Sequence, residues 1–315
     1  MDQFLQTFKD GIAIGSLYAL IALGYTMVYG ILKFINFAHS DVVVLGAWLS
    51  LVIARQAEAA MGWGAVGTAS GAAPWWFGGV VLVAAMLLCG VLGFAIERLA
   101  YKPLRKAPRL NVLITAIGVS LLLQNSGQLP AFFGTKPKSI PPLVPDTVLF
   151  SIGQVQFRVL DFAVVGTALL FMIGLDWLVF RTKVGRAMRA VSHSPTNAGL
   201  MGIPVDRVIS FTFVLGSMLA ATGGFLWALK YTQVKQPADT SWTLLGLKAF
   251  VAAVVGGIGN IRGAMLGGLT IGMLEQFGSA YLRSSLADVY VFGLLILVLL
   301  FRPGGILGSA AVDKV

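Results

Sequence analysis

Three stretches of this chain, Gly11 to Leu32, Trp75 to Ile96 and Val208 to Leu229, each run 22 residues without a charged side chain. At about 1.5 Å of rise per residue, a helix of that length spans the ~30 Å hydrocarbon core of a bilayer, whereas buried helices of soluble proteins carry apolar runs of only about 10 to 14 residues. The whole composition agrees: 57% of residues are hydrophobic and 11% charged, against about 25% charged in a soluble domain. A soluble globular domain is excluded. The expected fold is an all-α, polytopic transmembrane helical bundle, with residues 1–315 forming one membrane domain.

Weaker apolar segments occur at about Asp41 to Ala54, Val112 to Leu129, Asp161 to Phe180, Trp242 to Ile258, Gly263 to Tyr281 and Asp288 to Phe301. Several are short or carry a charge. Such helices cross a bilayer when neighbours surround them or when they pair with a broken partner, so the sequence predicts eight or nine crossings.

The net charge of +10 does not point to nucleic acid, because the basic residues sit in short loops between apolar segments. There they set orientation: Arg98, Lys102, Arg105, Lys106 and Arg109 mark one cytoplasmic loop, and Arg181, Lys183, Arg186, Arg189 and Arg207 a second. Residues 130–160 then lie outside, the C-terminus lies inside, and the side of the N-terminus depends on whether Lys33 to Ala54 crosses or re-enters. The N-terminal decapeptide has Lys9 between Asp2 and Asp10 rather than a basic n-region, so the first apolar run reads as a retained helix and not a signal peptide. In the outer loop, alternation over Thr147 to Arg158 with Gly153 at its centre signals a hairpin. No loop is long enough for a second soluble domain.

Catalytic signatures are absent. The chain has one cysteine, Cys89, and two histidines, so no internal disulfide, Cys-based metal site or His cluster is expected. It contains no phosphate-binding G-x-x-x-x-G-K-[ST] loop, no H-E-x-x-H and no G-x-S-x-G. The chain is therefore read as no enzyme, with no metal and no cofactor of its own.

Polar residues inside apolar runs are the remaining candidates. In YTMVYGILKFINFAHSD, Tyr25 to Asp41, the run is broken by Lys33, Asn36, His39 and Asp41. Polar groups at a helix break are costly in lipid and line a cavity, or they meet water at an interfacial loop. Asn36 and Asp41 are suited to cap the new helix. Gln124 and Asn125 read as glue between helices. Gly259, Gly263 and Gly267 recur every four residues, as do Gly268 and Gly272, a spacing that lets helices approach closely. A turn near Ile261 would fold its flanking helices into an antiparallel hairpin. Lys248, 13 residues before the turn, would then lie beside Glu275, 14 residues after it. The two either form an ion pair in the bundle or snorkel separately to the outer interface. A weak repeat relates the segment after Gly30 to that after Gly257, and such repeats in transporters are often inverted.

The cytoplasmic loop 181–207 reads RTKVGRAMRAVSHSPTNAGLMGIPVDR. Ser194 and Pro195 make a helix start, with Ser194 as N-cap, and Gly202 and Pro204 make a stop. A short surface helix after basic residues suits docking to another protein, or rests on anionic lipid through Arg186 and Arg189.

The chain resembles a known family over essentially its whole length. The matching blocks are GSLYALIALGYTMVYGILKFINFAHSD, YKPLRKAP with ITAIGVSLLLQN, VGRAMRAV with AGLMGIPVDRVI, LKAFVAAVVGGIGNIRGAMLGG and FRPGGILG. They are similar to the H-type permease subunit of bacterial branched-chain amino-acid ABC importers. The resemblance implies a multi-pass inner-membrane permease working by alternating access with a second permease, two cytoplasmic ATPases that bind ATP and a periplasmic solute-binding protein. It also implies that Gly185 to Ile203 docks into an ATPase, with Gly185, Arg186, Arg189, Ala198 and Gly202 as coupling residues. In the general importer pattern E-A-A-x-x-x-G, Ala198 and Gly202 match, whereas Thr196 and Asn197 replace the Glu and first Ala. Path or gate candidates are Asn36, His39, Asp41, Lys248 and Glu275. Relatives of the family carry branched-chain amino acids, urea, short amides or carboxylates, and no residue names the solute. The competing readings are an ion-driven secondary transporter using Asp41, His39 or Glu275, a passive channel for a small polar solute, and a scaffold subunit whose partner holds the path.

Overall fold

The computed structural model describes residues 1–62, 74, 76–105 and 107–308. Trp75, at the head of one apolar run, and Lys106, in the first basic loop, lie outside the described residues. The chain forms helices α1 (Asp2–Leu32), α2 (His39–Met61), α3 (Phe77–Ile96), α4 (Arg109–Gly127), α5 (Val159–Arg181), α6 (Lys183–His193), α7 (Pro195–Leu200), α8 (Val205–Tyr231), α9 (Thr240–Gly256), α10 (Ile261–Gly278) and α11 (Ala287–Phe301). Among the described residues, seven helical stretches are long and apolar enough to cross a membrane. The last of them, Ile261–Phe301, is two passages: Ile306 N–H donates to the Val255 carbonyl at 2.8 Å, so α11 returns to the end where α10 began. With the shorter α9, nine helices among the described residues run between the two ends of the bundle, while α6 and α7 lie at the end that bears both basic loops.

Direction follows from end contacts. Asp2 accepts from the Gln154 N–H in the hairpin between α4 and α5, whereas Gly30, near the other end of α1, accepts from Ser192 Oγ of α6 at 2.6 Å. The N-terminus is thus opposite the basic end, and α2 crosses fully back. By the positive-inside rule that puts the N-terminus outside. α1 also starts nine residues ahead of its uncharged run, because the charges there are paired. Lys9 meets Asp161 at 3.0 Å and Asp10 meets Lys230 at 3.7 Å.

Lipid tails are as apolar as Leu, so helices in a bilayer associate through close packing. α1, the most buried helix, packs most extensively on α10. The glycine stripes explain this: a Cβ on Gly268 or Gly272 would collide with the α1 backbone at Ala19 or Gly15, and one on Gly263 or Gly267 with the α9 backbone at Gly256 or Ala252. Gly259 stands outside α10 in the α9–α10 turn, with φ 92°. Asn260 caps α10 by accepting from Gly263 N–H at 3.2 Å.

The outer end is closed by short strands. β1 (Lys138–Ser139) pairs antiparallel with β4 (Gln233–Val234), and β2 (Val148–Ile152) with β3 (Val155–Arg158) around Gly153, φ 61°. Trp48 stacks on Phe133 with ring centroids 5.1 Å apart, and its indole N–H donates to the Lys235 carbonyl at 2.9 Å. Asp239 caps α9 from the same loop, and the hydroxyl and N–H of Ser241 hold its carboxyl below the ordinary carboxylate range. The weak repeat is not inverted: α1–α2 and α9–α10 both run toward the basic end and back.

Candidate functional site

The polar residues of the bundle gather in three places. The first is the break between α1 and α2. α1 ends with Lys33 left-handed (φ 57°), its N–H bonded to the Tyr29 carbonyl at 2.8 Å. The next residues turn back into the bundle, and α2 starts beside the middle of α1, where His39 Nε2 donates to the Ile21 carbonyl at 3.2 Å and the imidazole packs on Gly24. Tyr25 meets the His39 ring edge-on at 4.6 Å. Asn36 and Asp41 do not cap α2, contrary to the expectation from sequence. Its N-cap is Ala38, without a side-chain cap bond. The reason is the tight turn in which His39 N–H donates to the Asn36 carbonyl, which aims the Asn36 amide at the end of α3, where Tyr101 Oη donates to it at 2.6 Å. Asp41, 4% exposed, accepts from Gln124 Nε2 of α4 at 2.9 Å. Its other carboxylate oxygen has no partner among the described residues.

The second place is an ion cluster toward the outer end. Lys248 Nζ of α9 lies 2.8 Å from Glu275 of α10 and 2.7 Å from Asp288 of α11, and Tyr18 Oη of α1 donates to Glu275 at 2.6 Å. Three helices therefore meet at one ammonium group, and a fourth, α1, joins them through Glu275. The sequence reading joined Lys248 to Glu275 by counting from a turn. It missed Asp288, which sits in the first turn of a helix and reads as an ordinary start, and Tyr18, one of many apolar-run aromatics.

The third place is the basic end. Thr182 caps α6, accepting from Gly185 N–H at 3.1 Å while its hydroxyl donates to the Leu178 carbonyl at 2.6 Å. Gly185 sits so close to the Leu178 and Val179 carbonyls that no Cβ fits. Ser194 caps α7 by accepting from Asn197 N–H at 3.3 Å, and Gly202, φ 79°, ends it. Ala198 is buried, Arg186 is exposed, and Arg189 folds back to donate to the Val179 carbonyl. Leu200 and Met201 project from the bundle, 82% and 84% exposed. Beside this element lies a cavity of about 480 Å³ between Ile31, Phe34, Arg105, Pro195 and Asp206. Arg105 and Asp206 of its wall belong to an ionic web: Glu97, fully buried, accepts from Arg105 and from Ser210 Oγ at 2.6 Å, while Asp206 pairs with Lys102 at 2.7 Å and Arg105 at 2.6 Å. Sequence reasoning read Lys102 and Arg105 only as loop charges and did not single out Glu97, Asp206 or Ser210. The signal available was Glu97, a lone acid at the end of a long apolar run.

None of the described residues forms a group of three or more His, Cys, Asp or Glu side chains suited to hold a metal ion. The first two clusters join separate helices inside the bundle, and the third ties α6 to the end of α5 and caps α7.

A family model described as "Branched-chain amino acid transport system / permease component" matches residues 8–300. The chain is 42% identical to the high-affinity branched-chain amino acid transport system permease protein BraD of Pseudomonas aeruginosa, over 99% of this chain and 98% of that one. It is 40% identical to the corresponding protein LivH of Escherichia coli over the same shares. It is 28% identical to the probable branched-chain amino acid transport permease protein LivH of Methanocaldococcus jannaschii, over 95% of this chain and 91% of that one.

Proposed function

The chain belongs to the branched-chain amino acid transport permease family, is a multi-pass membrane permease subunit of an ATP-driven importer, and from that premise we propose that its solute is a branched-chain amino acid. Its place is the bacterial inner membrane. There it pairs with a second permease of similar size, takes energy from two ABC ATPases that bind the ATP, and receives solute from a periplasmic binding protein. The chain contributes no cofactor, metal site or catalytic residue.

The observation that carries this reading is the α6–α7 element. A capped pair of short helices stands at the basic end, with Leu200 and Met201 exposed at the end of α7 and Arg186 exposed on α6. Large apolar side chains are costly to leave in water and suit a cleft on a protein partner. Nucleotide-driven closure of that partner moves α6–α7, with Gly185, Arg186, Arg189, Ala198 and Gly202 as its working residues. Asn36, His39 and Asp41 at the helix break line or gate the path in the middle of the bundle, and Lys248 and Glu275 gate it toward the outside. A helix break at mid-depth exposes backbone polar groups where solute passes, which favours this assignment.

Purification of tagged protein in mild detergent, with mass spectrometry of everything that stays bound, tests the reading. Two P-loop ATPases and a second permease are the expected companions. Recovery of the chain alone or as a homo-oligomer would redirect the function to ion-driven or passive transport.

A further inference from the structure

Resting on that reading of α6–α7, we propose that Ser192 and the interleaved set Asp176, Phe180, Arg189 and Arg262 are positioning residues that deliver the movement of the docking element to the α1–α10 pair, which carries it as one rigid lever to the Lys248 cluster.

Each link has a geometry. The α5–α6 corner cannot flex locally, because Thr182 bonds both helices and Gly185 packs on the last carbonyls of α5. Arg189 ties the corner again, donating to the Val179 carbonyl with its guanidinium 5.4 Å from the Phe180 ring centroid. On the same ring lies the guanidinium of Arg262, from the first turn of α10, at 4.7 Å. Arg262 also grips Asp176 of α5 with two bonds, Nε to Oδ1 at 2.8 Å and Nη2 to Oδ2 at 3.2 Å. A fork-to-fork pair fixes orientation as well as distance. An aromatic face shared with a cation adds attraction that needs no exact register. A second tie joins α6 to α1, where Ser192 Oγ donates to the Gly30 carbonyl, and Gly30 faces Gly259 of the α9–α10 turn, whose backbone a Cβ on Gly30 would meet at 3.9 Å.

These two ties enter α1 and α10 near the basic end. Both helices run on to the ion cluster, α10 from Arg262 to Glu275 and α1 from Gly30 to Tyr18, a reach of about 20 Å at ~1.5 Å per residue. Between the ends, Gly15, Gly268 and Gly272 bring the two backbones too close for sliding. Tightly packed interfaces shift as units rather than deform. Motion at α6 therefore reaches Glu275 and its Lys248 partner together with Tyr18.

The test uses the intact complex of the permease with its partner subunits in proteoliposomes, with ATP hydrolysis and uptake of radiolabelled leucine measured on the same preparation. Ser192→Ala and Arg262→Asp are expected to lower solute taken up per ATP hydrolysed about tenfold, with hydrolysis near the wild-type rate. The exchange Asp176→Arg with Arg262→Asp is expected to restore much of the ratio. An unchanged ratio in Ser192→Ala and Arg262→Asp overturns the linkage, as does a parallel fall of uptake and hydrolysis in step with the amount of assembled complex. If Arg262→Asp does not assemble, Ser192→Ala, which removes one hydroxyl, decides alone. A wild-type complex with no ATP-dependent uptake would overturn the proposed function, and the linkage with it.

Discussion

Lys248 shows what single residues contribute here. A lysine on a membrane helix is tolerated because two carboxylates, Glu275 and Asp288, reach its ammonium group. Removing the ammonium in Lys248→Met leaves Glu275 and Asp288 as unneutralised neighbours, and breaking a buried pair in this way costs roughly 3 kcal/mol. The double variant Lys248→Met with Glu275→Gln should unfold later than Lys248→Met alone in detergent, because half-exposed Asp288 can turn to water. The third partner also limits a charge exchange. Lys248→Glu with Glu275→Lys sets the carboxylate introduced on α9 against Asp288, so rescue of assembly is expected to be partial. At the helix break, Gln124→Leu strips Asp41 of the amide that donates to it at 2.9 Å. It should cost about 1–3 kcal/mol and more than Asp41→Leu with Gln124→Leu together, measured as a double-variant cycle on thermal unfolding.

At the scale of elements, glycine position separates packing from tolerance. Gly272→Ala places a methyl group in the α1 backbone, whereas Gly174→Ala on α5 meets open space. The first should abolish recovery of folded protein and the second should leave yield and unfolding temperature unchanged. α7 gives a complementary prediction. Leu200→Asp with Met201→Asp should preserve the folded permease and remove co-purification of its ATPases. Much of this level was readable in the sequence, because uncharged runs dictate spanning helices and Ser194, Pro195 and Gly202 are local signals that act within one turn. The stripes of Gly263, Gly267, Gly268 and Gly272 announced close helix approach but not which helix each stripe meets. What stayed hidden is pairing at long range. Asn36 with Tyr101, Asp41 with Gln124, and Glu97 with Arg105 and Ser210 join separate elements, and a lone polar residue in an apolar run carries no mark of its partner. The start of α1 was missed for the same reason, since Lys9 and Asp10 end an apolar run but are neutralised by α5 and α8.

Across the whole molecule, charge is concentrated at the two ends of the bundle and at one cluster within it. The basic end carries α6 and α7, joined to α5 at Thr182 and tied to α1 through Ser192, while α5 is bound to α10 through Asp176 and Arg262; the outer end carries the short strands near Trp48. The most direct measurement is uptake of radiolabelled leucine into proteoliposomes holding the full complex, with ATP supplied to the face that bears α6 and α7 and the binding protein on the other. Uptake that requires ATP and stops with Leu200→Asp and Met201→Asp is the predicted result. Uptake by this chain alone, driven by a proton or sodium gradient and indifferent to ATP, would contradict it.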